Sequence, residues 1–151
     1  MVILQRLNKF KVKISDLLII YKLYIRSIVE QNCQVWHHSL SEDDSHSLER
    51  VQKVAMKIIL QQSYTDYKQA LDKLDIETLY ERREHLCLKF ARKCAQHPRA
   101  KTMFPLNPVS VHNTRHHEKF LVQPAKSGRL LHSAIPQMQR ALNQDFLKRS
   151  S

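Results

Sequence analysis

Apolar residues recur at spacings of three and four along most of this chain, the period that places side chains on one face of an α-helix. Leu17, Leu18, Tyr21, Ile25, Ile28 and Val29 make one such face. Ser15 and Asp16 before them supply a capping side chain and an acid for the positive end of the helix. A second stripe, Leu48, Val51, Ala55, Ile58 and Ile59, follows a start among Ser41, Glu42, Asp43 and Asp44. The two helices are expected to pack antiparallel through these faces. A short lead-in helix carries Leu4, Leu7 and Phe10, and a small one carries Tyr67, Ala70, Leu71 and Leu74. A long helix opened by Thr78 turns Leu79, Leu86, Phe90 and Ala91 inward, with Cys87 and Cys94 on or beside that face. It stops at His97-Pro98, because the residue before proline is driven out of helical geometry. Leu18, Ile25, Val51, Ile58, Leu86 and Phe90 are the central positions of the three longest stripes and are predicted to form one core.

The pattern changes after residue 97. Residues 98–132 hold four of the five prolines and no sustained apolar period. They read as a basic loop with at most a short hairpin, in which Phe120, Leu121 and Val122 alternate and Lys126-Ser127-Gly128 turns the chain back. From Ser133, the spacing of Ile135, Met138, Leu142 and Phe146 predicts a terminal helix. The predicted fold is therefore all-α, a bundle of about five to six helices. Its zones are 1–97, helical; 98–132, basic loop; and 133–151, terminal helix and tail.

Composition narrows the chemistry. The 151 residues include a single glycine, Gly128, so neither a P-loop nor a Rossmann turn can be built, since both need backbone approach that only glycine permits. Three cysteines, Cys33, Cys87 and Cys94, are odd in number and few for a disulfide scaffold. An intracellular setting, nuclear or cytoplasmic, is the expectation. Leu17 to Ile20 is the longest aliphatic run, too short for a signal peptide or a membrane span. The net charge of +11 is uneven: residues 1–75 carry 11 Lys and Arg against 9 Asp and Glu, and residues 76–151 carry 14 against 5. Such a basic surplus attracts polyanions, of which nucleic acid is the commonest.

No catalytic set emerges. Asp43-Asp44 is the only acidic pair, and it sits at a helix start, where acids meet the helix dipole. Cys87 and Cys94 lie about 10 Å apart along one helix axis at 1.5 Å per residue, too far for one tetrahedral ion shared with His85 and His97. Cys33 with His37 and His38 lacks the paired spacing of a zinc knuckle. His116-His117-Glu118 lacks the second histidine that a zincin motif needs. The reading is no enzyme, no metal ligand and no cofactor. Trp36, beside Val35 at the end of a helix, reads as a core plug rather than a base-stacking platform.

One combination of motifs is more specific. Tyr21-Lys22, Ile25-Arg26, Val35-Trp36-His37 and Leu48-Glu49-Arg50-Val51-Gln52-Lys53 with Ala55 are followed by Leu79-Tyr80-Glu81-Arg82-Arg83, Leu86-Cys87-Leu88-Lys89-Phe90 and Ser133-Ala134-Ile135-Pro136. In this order they resemble the region just after the catalytic core of non-LTR (LINE-class) retrotransposon reverse transcriptases, departing from it at Ser27, Gln31 and Val54. The resemblance implies a thumb and post-thumb fragment that grips the template-primer backbone, with the catalytic aspartates lying upstream of this chain. The expected ligand is RNA or DNA, held by its phosphates without sequence preference. The expected contacts are Lys22 and Arg26 on the first helix, Arg50, Lys53 and Lys57 on the second, and Arg115, Lys119 and Arg129 in the basic loop. The rival expectations are a helical interaction module, pairing with a missing polymerase core or with itself, and a decayed reading frame without function.

Overall fold

The computed structural model describes residues 1–108 and 119–150. The protein is all-α, and among the described residues two extended segments meet only at an isolated antiparallel bridge between Leu106 and Phe120. Two compact units are present, the first comprising residues 1–32 and 40–83 and the second 33–39 and 84–151. They are cut differently from the sequence zones: the division falls inside the long helix, between Arg83 and Glu84, rather than at its end.

The first unit opens with α1 (Val2–Lys9) and α2 (Ile14–Ile20). α2 runs without a break into a π-helical stretch, Tyr21–Arg26, and then α3 (Ser27–Glu30). Lys13, not Ser15, precedes α2, and the Ser15 hydroxyl bonds the Asp16 carboxylate instead of capping the helix. The π stretch moves the buried stripe. Its hydrogen bonds span one residue more than those of an α-helix, so a face extrapolated at the α period rotates out of register. Leu17 and Tyr21 are fully buried, Leu18 and Ile25 only pack against that core, and Ile28 is 71% exposed.

α5 (Glu42–Leu60) is opened by Ser41, whose hydroxyl accepts from the Asp44 amide at 3.1 Å, with Glu42, Asp43 and Asp44 in the first turn. α6 (Tyr67–Leu74) is capped by Asp66. α7 (Leu79–Gln96) starts with a reciprocal capping box: the Thr78 amide donates to Glu81 and the Glu81 amide to the Thr78 hydroxyl, each at 3.1 Å. Leu4, Leu17, Tyr21, Ala55, Met56, Ile59, Leu60, Ala70 and Leu74 form the core of this unit. The predicted six-residue core is thus displaced. Val51, Ile58 and Leu86 are half-buried and Phe90 is 43% exposed, because the inward face of α7 is Leu79, Arg83, Cys87 and Ala91, at a spacing of four.

A polar spine runs through the same core. The Tyr21 hydroxyl donates to Gln52 Oε1 at 2.5 Å, and Gln52 Nε2 donates to the Glu77 carbonyl at 2.9 Å. The Tyr67 hydroxyl donates to Glu49, which also accepts the Leu79 amide at 3.2 Å. Burial, above all, holds the Tyr21 phenol well above the ordinary value of 10.0, and burial with the Glu49 bond does the same to Tyr67. Since the folded pKa values are raised, their stabilising contribution is intact below pH 10 and is lost as pH climbs toward the folded values. In an alkaline titration these two tyrosines are expected to ionise only as the helices unfold, and Tyr21→Phe should delay that unfolding. Smooth ionisation of all five tyrosines with the far-ultraviolet helix signal unchanged would contradict the buried placement.

The second unit contains α4 (Cys33–Trp36), a 3₁₀ turn His37–Ser39, the rest of α7, α8 (Gly128–Leu131) and α9 (Ala134–Ser150). Trp36 is half-buried and Val35 exposed, so the Trp is not a full core plug. Lys126-Ser127-Gly128 does not close a hairpin: the Ser127 side chain caps α8 by accepting from the Leu130 amide at 3.3 Å. Ala91, Phe104, Met138 and Leu142 form the apolar core of this unit, while Ile135 and Phe146 are exposed. Two buried amides of α9 take the place of a sheet neighbour. Asn143 accepts the Phe120 amide at 2.8 Å and donates to the Phe120 carbonyl at 2.9 Å. Gln139 donates to the Met103 carbonyl at 2.8 Å. Extended backbone beside a helix is thereby satisfied without strands.

Candidate nucleic-acid interface

Arg50, Lys53 and Lys57 lie exposed along one face of α5, as their spacing of three and four predicts. Two of them are oriented by aromatic rings: Lys53 Nζ stands 5.1 Å from the centre of the Tyr67 ring and Lys57 Nζ 5.5 Å from that of Tyr64. The rings hold the aliphatic stems while the ammonium groups stay in water.

At its C-terminal end this face meets cations that the sequence reading did not select. A surface groove of about 610 Å³ runs between α1 and the end of α5. Its charged walls are Arg6, Lys9 and Lys57, its neutral polar walls Gln5, Asn8 and Gln61, and among the described residues no carboxylate lines it. A second groove of about 560 Å³ shares Asn8, Lys9 and Gln61 and adds Lys11 and Gln62, again with no acid among the described residues. Asn8 ties the two helices together: its Nδ2 donates to the Ile58 carbonyl at 2.5 Å, and its Oδ1 accepts from Gln61. The signal was present in the chain, since Arg6, Lys9, Lys11 and Lys13 all precede the first acid, Asp16.

Lys22 and Arg26 are placed differently. They line a groove of about 540 Å³ together with Asp72, Asp75 and Glu77, and Arg26 also lies 3.4 Å from Glu30. Three carboxylates against two cations repel a phosphate at this position. In the second unit, Lys119 is exposed with its ammonium 5.8 Å and 5.2 Å from the ring centres of Phe120 and Phe146. It shares a groove of about 360 Å³ with Lys101, Arg92 and Arg149. Arg92 and Arg149 are taken up by Asp145, at 2.7 Å and 3.4 Å, and the Arg92 bond, first among the causes, holds the Asp145 carboxyl below its ordinary value. Arg129 is exposed on α8. Arg115, with His116, His117 and Glu118, lies outside the described residues.

The second unit also gathers three groups that sequence spacing kept apart. His37 Nε2 lies 2.9 Å and His38 Nδ1 3.6 Å from the same oxygen of Glu84. The His37 bond, first among its causes, holds the Glu84 carboxyl below its ordinary value, burial opposing. Burial, in turn, lowers the His38 pKa against the pull of Glu84, with His37 and His132 adding to the lowering. Both groups have depressed folded pKa values, so their contribution is present above the unfolded values and is lost as pH falls through the folded ones. The thermal midpoint is expected to decline as pH drops below 6.5, the ordinary histidine value, with a further decline below 4.5, that of Glu84. His38→Gln should flatten the upper part of that decline. A midpoint that is level from about pH 7 to pH 5 in the unaltered chain would contradict the buried imidazole.

Among the described residues no helix is long and apolar enough to cross a membrane. Comparison with known proteins returns no family model, no curated protein and no solved structure that matches this chain.

Proposed function

We propose that this chain is a non-catalytic binder of RNA or DNA backbones, of the retrotransposon reverse-transcriptase thumb type, with the basic groove between α1 and the end of α5 as its contact surface. The observation that carries this reading is the groove of Arg6, Lys9 and Lys57, in which, among the described residues, no carboxylate competes with a phosphate. The Arg50, Lys53 and Lys57 stripe extends it along α5. The motif resemblance supports the same assignment.

The grooves offer amides and cations but no aromatic floor, which favours phosphate positioning over base readout. Binding should therefore be insensitive to sequence and weaken steeply with salt. Fluorescence anisotropy with unrelated oligonucleotides across a salt series tests this. The rival reading, an interaction module, draws on Leu23, Tyr24 and Ile28, exposed by 62%, 65% and 71% on α3 and the π stretch. Salt-insensitive or absent oligonucleotide binding together with concentration-dependent self-association would favour it.

A further inference from the structure

We propose that His37, His38 and Glu84 form a binding site for one zinc-class divalent ion, held by one ring nitrogen of each histidine and the Glu84 carboxylate, with water completing the coordination. The donor atoms of the three residues lie within 4.8 Å of one another. The His37–Glu84 and His38–Glu84 edges, 2.9 Å and 3.6 Å, straddle the roughly 3.3 Å edge of a tetrahedron whose bonds are about 2.0 to 2.1 Å, and the remaining separation, within 4.8 Å, closes by side-chain rotation as the ion binds. Two imidazoles with one carboxylate are a donor set suited to zinc and its neighbours, whereas calcium and magnesium select oxygen.

Backbone geometry adds an independent argument. Neighbouring residues in a helical turn point away from each other, yet the ring centres of His37 and His38 are only 4.8 Å apart. The 3₁₀ turn His37–Ser39, arriving directly from α4, brings both rings to the same carboxylate. The His37 side chain is 2% exposed and Glu84 37%, so the histidine is held rigidly while the carboxylate side stays open to an arriving ion.

The test uses the full chain, stripped of metal with a chelator. Zinc chloride is titrated calorimetrically, and cobalt(II) chloride is followed by its visible absorption. Saturable binding of one ion per chain is expected, with the intense cobalt bands of low, near-tetrahedral coordination. His38→Gln and Glu84→Gln should each abolish saturable binding. The Gln at 84 can still accept the His37 hydrogen bond, so the turn keeps its anchor, and far-ultraviolet circular dichroism checks the fold. His46→Gln, on α5 in the first unit, removes one imidazole elsewhere and should bind zinc like the unaltered chain. Absence of saturable binding in the unaltered chain, or equal loss in His46→Gln and His38→Gln, would overturn the proposal and leave a hydrogen-bonded His37–Glu84 pair.

Discussion

Leu17→Ala, Met56→Ala and Ile59→Ala are each expected to cost about 2 to 5 kcal/mol of unfolding free energy, whereas Leu23→Ala and Ile28→Ala should change it by about 0.5 kcal/mol or less. Leu17 and Met56 are fully buried and Ile59 almost so. Truncating any of them removes transfer energy and leaves a void that packed neighbours fill only in part. A domain of this size has about 5 to 15 kcal/mol in total, so one such change consumes a large share. Leu18→Ala should fall between the two groups, because Leu18 packs against the core without being enclosed by it. The measurement is the denaturant midpoint at unchanged slope. A larger loss for Ile28 than for Leu17 would mean that the π-helical Tyr21–Arg26 stretch does not set the register.

That stretch marks one limit of what the sequence discloses. Hydrophobic period identifies helices and their class, and the all-α architecture, a start of α5 among Ser41 to Asp44 and the Thr78 start of α7 were legible from pattern and capping residues alone. The face turned inward was legible only to about one residue, because a π turn leaves no apolar signature and shifts everything after it. Polar core residues were hidden for a related reason. Gln52, Arg83, Gln139 and Asn143 are all buried, yet a pattern that scores apolar residues places them on the solvent side. Their burial is possible because specific partners meet them, Tyr21 for Gln52 and the Phe120 backbone for Asn143, 31 and 23 positions away. His37 lies 47 positions from Glu84 and His38 one fewer, so no local spacing rule reports their approach. The basic interface was half legible. The α5 stripe follows from periodicity, but whether a cation faces carboxylates, as Lys22 and Arg26 do, or an acid-free groove, as Arg6 and Lys9 do, is decided by tertiary structure.

Changing Arg6, Lys9 and Lys57 together to Gln is expected to make the salt dependence of oligonucleotide binding shallower by about two to three units of log-log slope. Each phosphate neutralised by a cation releases condensed counterions, contributing roughly 0.7 to 0.9 to the slope, so three lost contacts set the size of the change. Gln is a good helix former, so α1 and α5 should persist. None of the three side chains is buried in the core. Arg50→Gln with Lys53→Gln should add about one to two units more, since the stripe continues the same face. Lys22→Gln with Arg26→Gln is the discriminating control: beside Asp72, Asp75 and Glu77 these cations neutralise carboxylates rather than phosphates, and the slope should stay as it was. Lys119→Gln with Arg129→Gln reports separately on the second unit. Equal slopes for the groove triple and the unaltered chain, with both folded, would remove the α1–α5 face as the binding surface. A larger effect from the Lys22 and Arg26 pair would move the interface to the acid-lined side and refute the electrostatic argument itself.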